Sequence, residues 1–171
     1  MKYKQHKQYR LPHFNYATSG YYFTTIVTKN RVPYFGDVHD GKVQLSHLGT
    51  IVQKCMTRIP LVTSYAKLDT FVVMPNHVHS IFLLENPYEI RLDSDSKFQP
   101  QKRSLSLVVR NFKAAVTTAA RAVSPGIEVW QSRFYDRIVR NERELTAMRS
   151  YIENNPMRWE ADKSNSENLK M

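Results

Sequence analysis

The segment "KLDTFVVMPNHVHSIFLL", residues 67–84, restricts the fold more than any other part of the chain. Two runs rich in Val, Phe, Ile and Leu are separated only by Pro75 and Asn76. The chain must therefore reverse within a tight turn and pair the runs as two strands of a hairpin. His77 and His79 follow the bend. Side chains alternate along a strand, so both imidazoles fall on one face, about one pleat repeat apart, as a pincer for one ion. Histidines at a strand edge also serve simply as hydrogen-bonding groups, and the pair alone defines no chemistry.

The flanking sequence supplies partners for this hairpin. "GYYFTTIVT" (20–28) is a strand by its aromatic and β-branched content. "RVPYFGDVHDG" reads as a loop. From Leu45 to Val62, Leu48, Ile51, Val52, Cys55 and Ile59 recur at helical spacing, and Pro60 is expected to kink or end that helix. After the hairpin, residues 85–103 lack periodicity and read as a surface loop. A second helix is expected over 104–122, with Leu105, Val108, Val109, Phe112, Val116 and Ala119 on its apolar face. A last strand follows at 133–139. Asn141 and Glu144 have the form of an N-cap and capping box for a third helix. That helix runs to about Asn154 and stops because Pro156 disfavours helical geometry at the residue before it. The order β-α-β-β-α-β with a final helix predicts an α+β, ferredoxin-like split βαβ fold: a four-stranded antiparallel sheet with two helices on one face. The other face is left for the third helix and a ligand. The expected division is a basic arm at 1–16, a single domain at 17–160 and a frayed tail at 161–171.

The 171 residues carry 25 Lys and Arg against 15 Asp and Glu, a net charge of +10. The excess is uneven: no acid precedes Asp37, and none lies between Asp95 and Glu128. Such acid-free stretches favour a polyanionic partner, although a basic balance can also serve solubility alone. They direct phosphate contact to the arm (Lys2, Lys4, Lys7, Arg10) and to a stripe on the second helix (Arg110, Lys113, Arg121); a merely solvated polar face is the plainer reading of that stripe. Ten tyrosines add rings able to stack on unpaired bases. Cys55 is the only cysteine, which excludes an intrachain disulfide and a thiolate metal cluster and suits a reducing cytoplasm. The basic N-terminal stretch has no apolar core of signal-peptide length, and no run approaches the roughly 20 apolar residues of a membrane span.

On the third helix Met148, Tyr151, Ile152 and Asn155 share one stripe. Tyr151 and Asn155 are one turn apart and can face the same small volume. If that volume also holds His77 and His79, it can bind a divalent cation through two imidazoles and the Asn155 oxygen, beside a tyrosine nucleophile. Imidazole and amide ligands without thiolate suit Mg²⁺ or Mn²⁺ and leave positions for phosphate oxygens. Taken singly, Tyr151 reads as a helix-anchoring aromatic with its hydroxyl at the surface, and Asn155 as a helix C-cap. Tyr135 and Asp136 are further residues expected to support the site.

"VVMPNHVHSIFLL", "SLSLVVRNFKAA", "VWQSRFYDRIVRNERE" and "YIENNPMRW", in that order and at these separations, resemble the single-tyrosine HUH transposases of bacterial insertion sequences. The likeness is strongest to the branch of REP-associated tyrosine transposases and spans residues 8–160. It implies that His77 and His79 bind metal, that Tyr151 is the nucleophile and that Asn155 completes the metal site. It also implies single-stranded DNA or DNA hairpins with palindromic repeats as partners and cleavage through a 5′-phosphotyrosine; monomer and homodimer both remain open. Two other classes remain open: a catalytically idle hairpin-binding protein on the same scaffold, and a metal-dependent phosphodiesterase with His77 and His79 as acid and base.

Overall fold

Strands β4 (Ala66–Met74) and β5 (His77–Leu84) pair antiparallel across the Pro75-Asn76 turn, with Met74 opposite His77 and Val72 opposite His79. The computed structural model describes residues 17–85, 103–159 and 161. The expected basic arm, nearly all of the connection after the hairpin and the tail beyond 161 lie outside the described residues. β1 (Gly20–Val27) pairs antiparallel with β5, and β6 (Tyr135–Val139) pairs antiparallel with β1, so the sheet order is β4-β5-β1-β6. Helices α1 (His47–Val62) and α2 (Leu105–Val123) provide the crossovers, and α3 (Glu142–Glu153) follows β6. This is the expected ferredoxin-like arrangement, with β5 inserted between β1 and β4.

Alternation along the strands assigns the two faces of the sheet. Tyr22, Ile26, Val78, Phe82 and Leu84 point to one side and form a buried core with Val52, Met56 and Ile59 of α1 and Val108, Phe112 and Val116 of α2. Thr24 and Ser80 are fully buried on that side, where their hydroxyls satisfy each other at 2.6 Å. On the opposite side Ile81 packs with Leu145 and Ile152 of α3, bordered by Tyr21, Phe23, Val72, Val139 and Met148. Each of these fully buried aliphatic side chains contributes about 1.5–3 kcal/mol of transfer free energy, enough to seat one helix.

Local chemistry sets the helix ends. Ser46 caps α1 by accepting from the Gly49 amide at 3.0 Å and donates to the Tyr34 carbonyl at 2.7 Å. Asn141 caps α3 by accepting from the Glu144 amide at 2.9 Å, and Glu144 reaches back to the Arg140 amide at 3.1 Å. Arg149 makes a two-pronged contact with Asp69, at 2.6 and 2.9 Å, beside the register shift between Leu68 and Thr70 in β4. That contact and the Ile81 cluster together orient α3 across the sheet.

Three local expectations change. The loop expected after β1 contains a hairpin, β2 (Gly36–His39) and β3 (Lys42–Leu45), turning at Asp40 and Gly41, both with positive φ. Asp-Gly is a strong signal for such a turn, but the strands are too short and polar to show alternation clearly. Pro60 neither ends nor breaks α1, which continues to Val62. It sits in the last turn, so its ring removes only one backbone bond near an end that already lacks partners. After α3 ends at Glu153, the chain turns at Asn154 and is helical again over 155–159. Pro156 then occupies a first turn, where a missing N–H costs little.

Candidate active site

The odd-numbered side chains at the start of β5 and the end of β1 face α3 beyond the reach of the Ile81 cluster, and a cleft opens there. Its volume is about 570 Å³, and its walls include Thr25, His77, His79, Tyr135, Tyr151 and Asn155, together with Arg31, Arg158 and Trp159. The register explains the convergence, since Thr25 lies opposite both His79 and Tyr135, and Val27 lies opposite His77.

The two imidazoles stand with ring centres 4.5 Å apart, and the Tyr151 ring lies 5.2 Å from that of His79. Phe23 stacks on His79 at 5.3 Å and meets the edge of Tyr151 at 6.0 Å, forming an apolar floor. His79 Nδ1 is 2.9 Å from the Thr25 hydroxyl, and His77 Nδ1 is 2.8 Å from Asn76 Oδ1. The Asn76 amide nitrogen donates to the Arg31 carbonyl, so the oxygen is the atom facing His77, and His77 Nδ1 carries the hydrogen. Asn155 is only 6% exposed and lines the cleft with His77. Tyr151 is 36% exposed, with its ring beneath the Arg158 guanidinium at 5.4 Å.

Burial holds both imidazoles below the ordinary value of 6.5. His77 falls to about 4, chiefly by desolvation; the polar Asn155 side chain opposes the shift and the nearby Arg31 charge adds to it. His79 falls to about 3, by desolvation and then by proximity to His77, with a Thr24 backbone bond opposing. Both rings are therefore neutral at pH 7, with lone pairs available for a cation.

This donor set fits a divalent ion. His77 has its Nδ1 held by a neighbouring acceptor, which fixes ring orientation and turns the Nε2 lone pair to the cleft, where it would be the atom to meet a cation. No cluster of three His, Cys, Asp or Glu exists among the described residues; beside the two imidazoles the cleft offers a cation the Asn155 amide. Such a set leaves positions open to water or phosphate.

The stripe expected on α2 is elsewhere. Arg110 and Arg121 are exposed, but α2 covers the sheet face opposite the cleft. Lys113 is not part of a free stripe: its ammonium donates to the carbonyls of Gln131 at 2.7 Å and Arg133 at 3.0 Å, tying α2 to the segment before β6. Burial pushes its pKa down to about 8. Lys2, Lys4, Lys7 and Arg10 lie outside the described residues. Of the two supporting residues expected on β6, Tyr135 lines the cleft, whereas Asp136 falls opposite Thr24 and so belongs to the other face.

Four cleft residues escape a reading of the sequence. Arg158 and Trp159 follow Asn155 by three and four positions, a helical spacing concealed by the expected stop at Pro156. Thr25 is visible only once strand register is known. Arg31 stands in an acid-free stretch, without any signal that it returns to the histidines.

No protein-family model matches the chain. An uncharacterised protein of Haemophilus influenzae is 38% identical over 160 residues, covering 90% of this chain and 89% of the relative. Among solved structures, a REP-associated tyrosine transposase bound to a REP hairpin superposes with a TM-score of 0.61 at 21% identity, covering 89% of this chain and 73% of the other. The fold implied by the sequence resemblance is thereby borne out. No helix among the described residues is long and apolar enough to cross a membrane.

Proposed function

We propose that this chain, which belongs to one family with the Haemophilus influenzae protein and has the fold of a REP-associated tyrosine transposase, cleaves and rejoins single-stranded DNA at hairpins through Tyr151. The observation that carries this reading is the meeting of an exposed phenol, two neutral imidazoles and a buried amide in one cleft.

The Tyr151 oxygen attacks a backbone phosphorus, forming a P–O bond to the phenol as the P–O3′ bond breaks. The 3′ oxygen leaves as a hydroxyl after taking a proton, and the phenolic proton passes to solvent. The product is a 5′-phosphotyrosine that retains the energy of the broken diester. A second 3′-hydroxyl can displace Tyr151 and rejoin the strand without a nucleotide cofactor. His77, His79 and the Asn155 amide oxygen would hold a divalent ion, Mg²⁺ or Mn²⁺, which when bound supplies Lewis-acid polarisation of the diester. Phe23 and the α3 cluster fix the Tyr151 ring relative to His79, so the attacking oxygen is positioned before DNA arrives.

The phosphodiesterase alternative needs one imidazole to act as an acid. Rings held at about 4 and 3 are poor proton donors at neutral pH, which favours their use as ligands. The test is incubation of the protein and Mg²⁺ or Mn²⁺ with labelled single-stranded DNA carrying a hairpin, followed by a denaturing gel. A protein-sized labelled band is expected from the wild type and not from Tyr151→Phe. Strand cleavage without any such band would overturn the reading.

A further inference from the structure

Between β1 and the β2–β3 hairpin the chain makes a tight turn with two consecutive non-glycine residues in the left-handed region, Asn30 at φ 53° and Arg31 at φ 57°. Asparagine tolerates this conformation; for arginine it is uncommon and costs about 1 kcal/mol or more. The turn is held in place on several sides. Thr28, fully buried, shares its one hydroxyl hydrogen between the carbonyls of Val32 at 2.8 Å and Asn76 at 3.0 Å, and its amide donates to the Asn76 carbonyl at 2.9 Å. The Asn76 side chain joins this turn to the site: its amide nitrogen donates to the Arg31 carbonyl at 3.1 Å, and its oxygen accepts from His77 Nδ1 at 2.8 Å. The side chain so placed is an exposed guanidinium lining the cleft near His77, with no carboxylate pairing to it among the described residues.

We infer that Arg31 is a DNA-phosphate-binding residue of the cleft, and that Asn76 is a positioning residue that couples its placement to the orientation of His77. This rests on the reading of the cleft as a DNA-cleavage site and assigns one wall of it to the backbone phosphate. A planar fork of N–H donors suits the oxygens of a phosphodiester, and strain confined to one residue is retained where the placement of its side chain is used. The same bridge explains why a turn 45 residues from Asn76 in sequence arrives at the histidines.

The test uses the full chain and single-stranded oligonucleotides carrying a hairpin and flanking bases, with one neutral methylphosphonate placed at each linkage in turn. For the wild type, one position should lower affinity by roughly tenfold or more, as expected for loss of a charge-assisted contact. In Arg31→Ala the same substitution should cost little, since the partner is already gone. Arg31→Lys should recover only part of the effect, because the charge remains and the fork does not. Equal losses in wild type and Arg31→Ala at every position would overturn the inference. The cycle reads binding alone, so it judges Arg31 even if no covalent adduct forms and the cleavage reading fails.

Two further variants probe the placement. Arg31→Gly should melt at or above the wild-type temperature while binding like Arg31→Ala; melting well below it would show that the turn is not strained for its side chain. Asn76→Ala should reduce the methylphosphonate discrimination and slow adduct formation at saturating DNA. Asn76→Asp, which keeps only the acceptor toward His77, should recover adduct formation but not the discrimination; recovery of both would remove the Arg31 bond from the assignment. Full discrimination in Asn76→Ala would remove Asn76 from the assignment.

Discussion

The two faces of the sheet differ in how they are closed. On the α1–α2 face the strands present Tyr22, Ile26, Val78 and Phe82 to two helices, and the side chains there are sealed. On the α3 face a single helix covers only the Ile81 end, and its partners at the other end are imidazoles, a phenol and an amide. The same strands thus build a dry core and an open polar cleft from alternate residues. One face stores the stability that lets the other hold buried, neutral histidines beside solvent.

The largest expected separation between the faces concerns activity. Tyr151→Phe keeps the ring against Phe23 and His79 and removes one oxygen, so adduct formation should fall by about a thousandfold or more. Its melting temperature and hairpin affinity should stay near wild type. A persistent adduct that disappears instead in Tyr135→Phe would move the nucleophile to β6. Chelation, or His77→Ala with His79→Ala, should likewise abolish cleavage while much of the DNA binding survives.

On the closed face the expectation inverts. Phe82→Ala empties a fully buried site between the sheet and its helices, and should cost about 3–5 kcal/mol in chemical denaturation. Adduct formation per folded molecule should be unchanged at low temperature. If activity of the folded fraction collapses as well, the faces are not separable.

The pH dependence should belong to the open face. Folded His77 and His79 sit at about 4 and 3 against 6.5 when unconstrained, so the folded state binds fewer protons in that interval. Their contribution to stability is complete above pH 6.5 and is lost as pH falls toward those folded values. Denaturation in chelator at pH 7 and pH 5 should show the loss. His77→Gln combined with His79→Gln should flatten it, whereas an unchanged slope would assign the effect to carboxylates.

Smaller effects should follow at the caps and on α2. Asn141→Ala removes the α3 cap and should cost about 1 kcal/mol. Lys113→Met should destabilise through loss of its two carbonyl contacts and leave hairpin affinity nearly unaltered. Arg110→Glu with Arg121→Glu asks whether DNA reaches the closed face. Weaker binding with a flatter salt dependence would extend the DNA path there, and unchanged affinity would confine the path to the cleft side.

The succession of the main strands and helices, the helix faces and the α3 cap were legible in the amino-acid sequence because each rests on local rules: alternation, helical spacing, and Asn141 preceding Glu144 by three. The histidine pair and its Tyr151–Asn155 counterpart were legible for the same reason, each pair lying on one face of one element. Short elements with weak periodicity were not, and the β2–β3 hairpin and the helical residues 155–159 emerged only in the structure. Nor could charge counting separate Lys113, spent on two backbone carbonyls, from Arg31, whose guanidinium borders the cleft. Those outcomes depend on register and on contacts between residues far apart in the chain, such as Thr25 with His79, Asn76 with Arg31 and Arg149 with Asp69. The sequence by itself determined which side chains share a face. Only tertiary packing decided which faces meet, because that follows from long-range burial and hydrogen bonding rather than from spacing along one element.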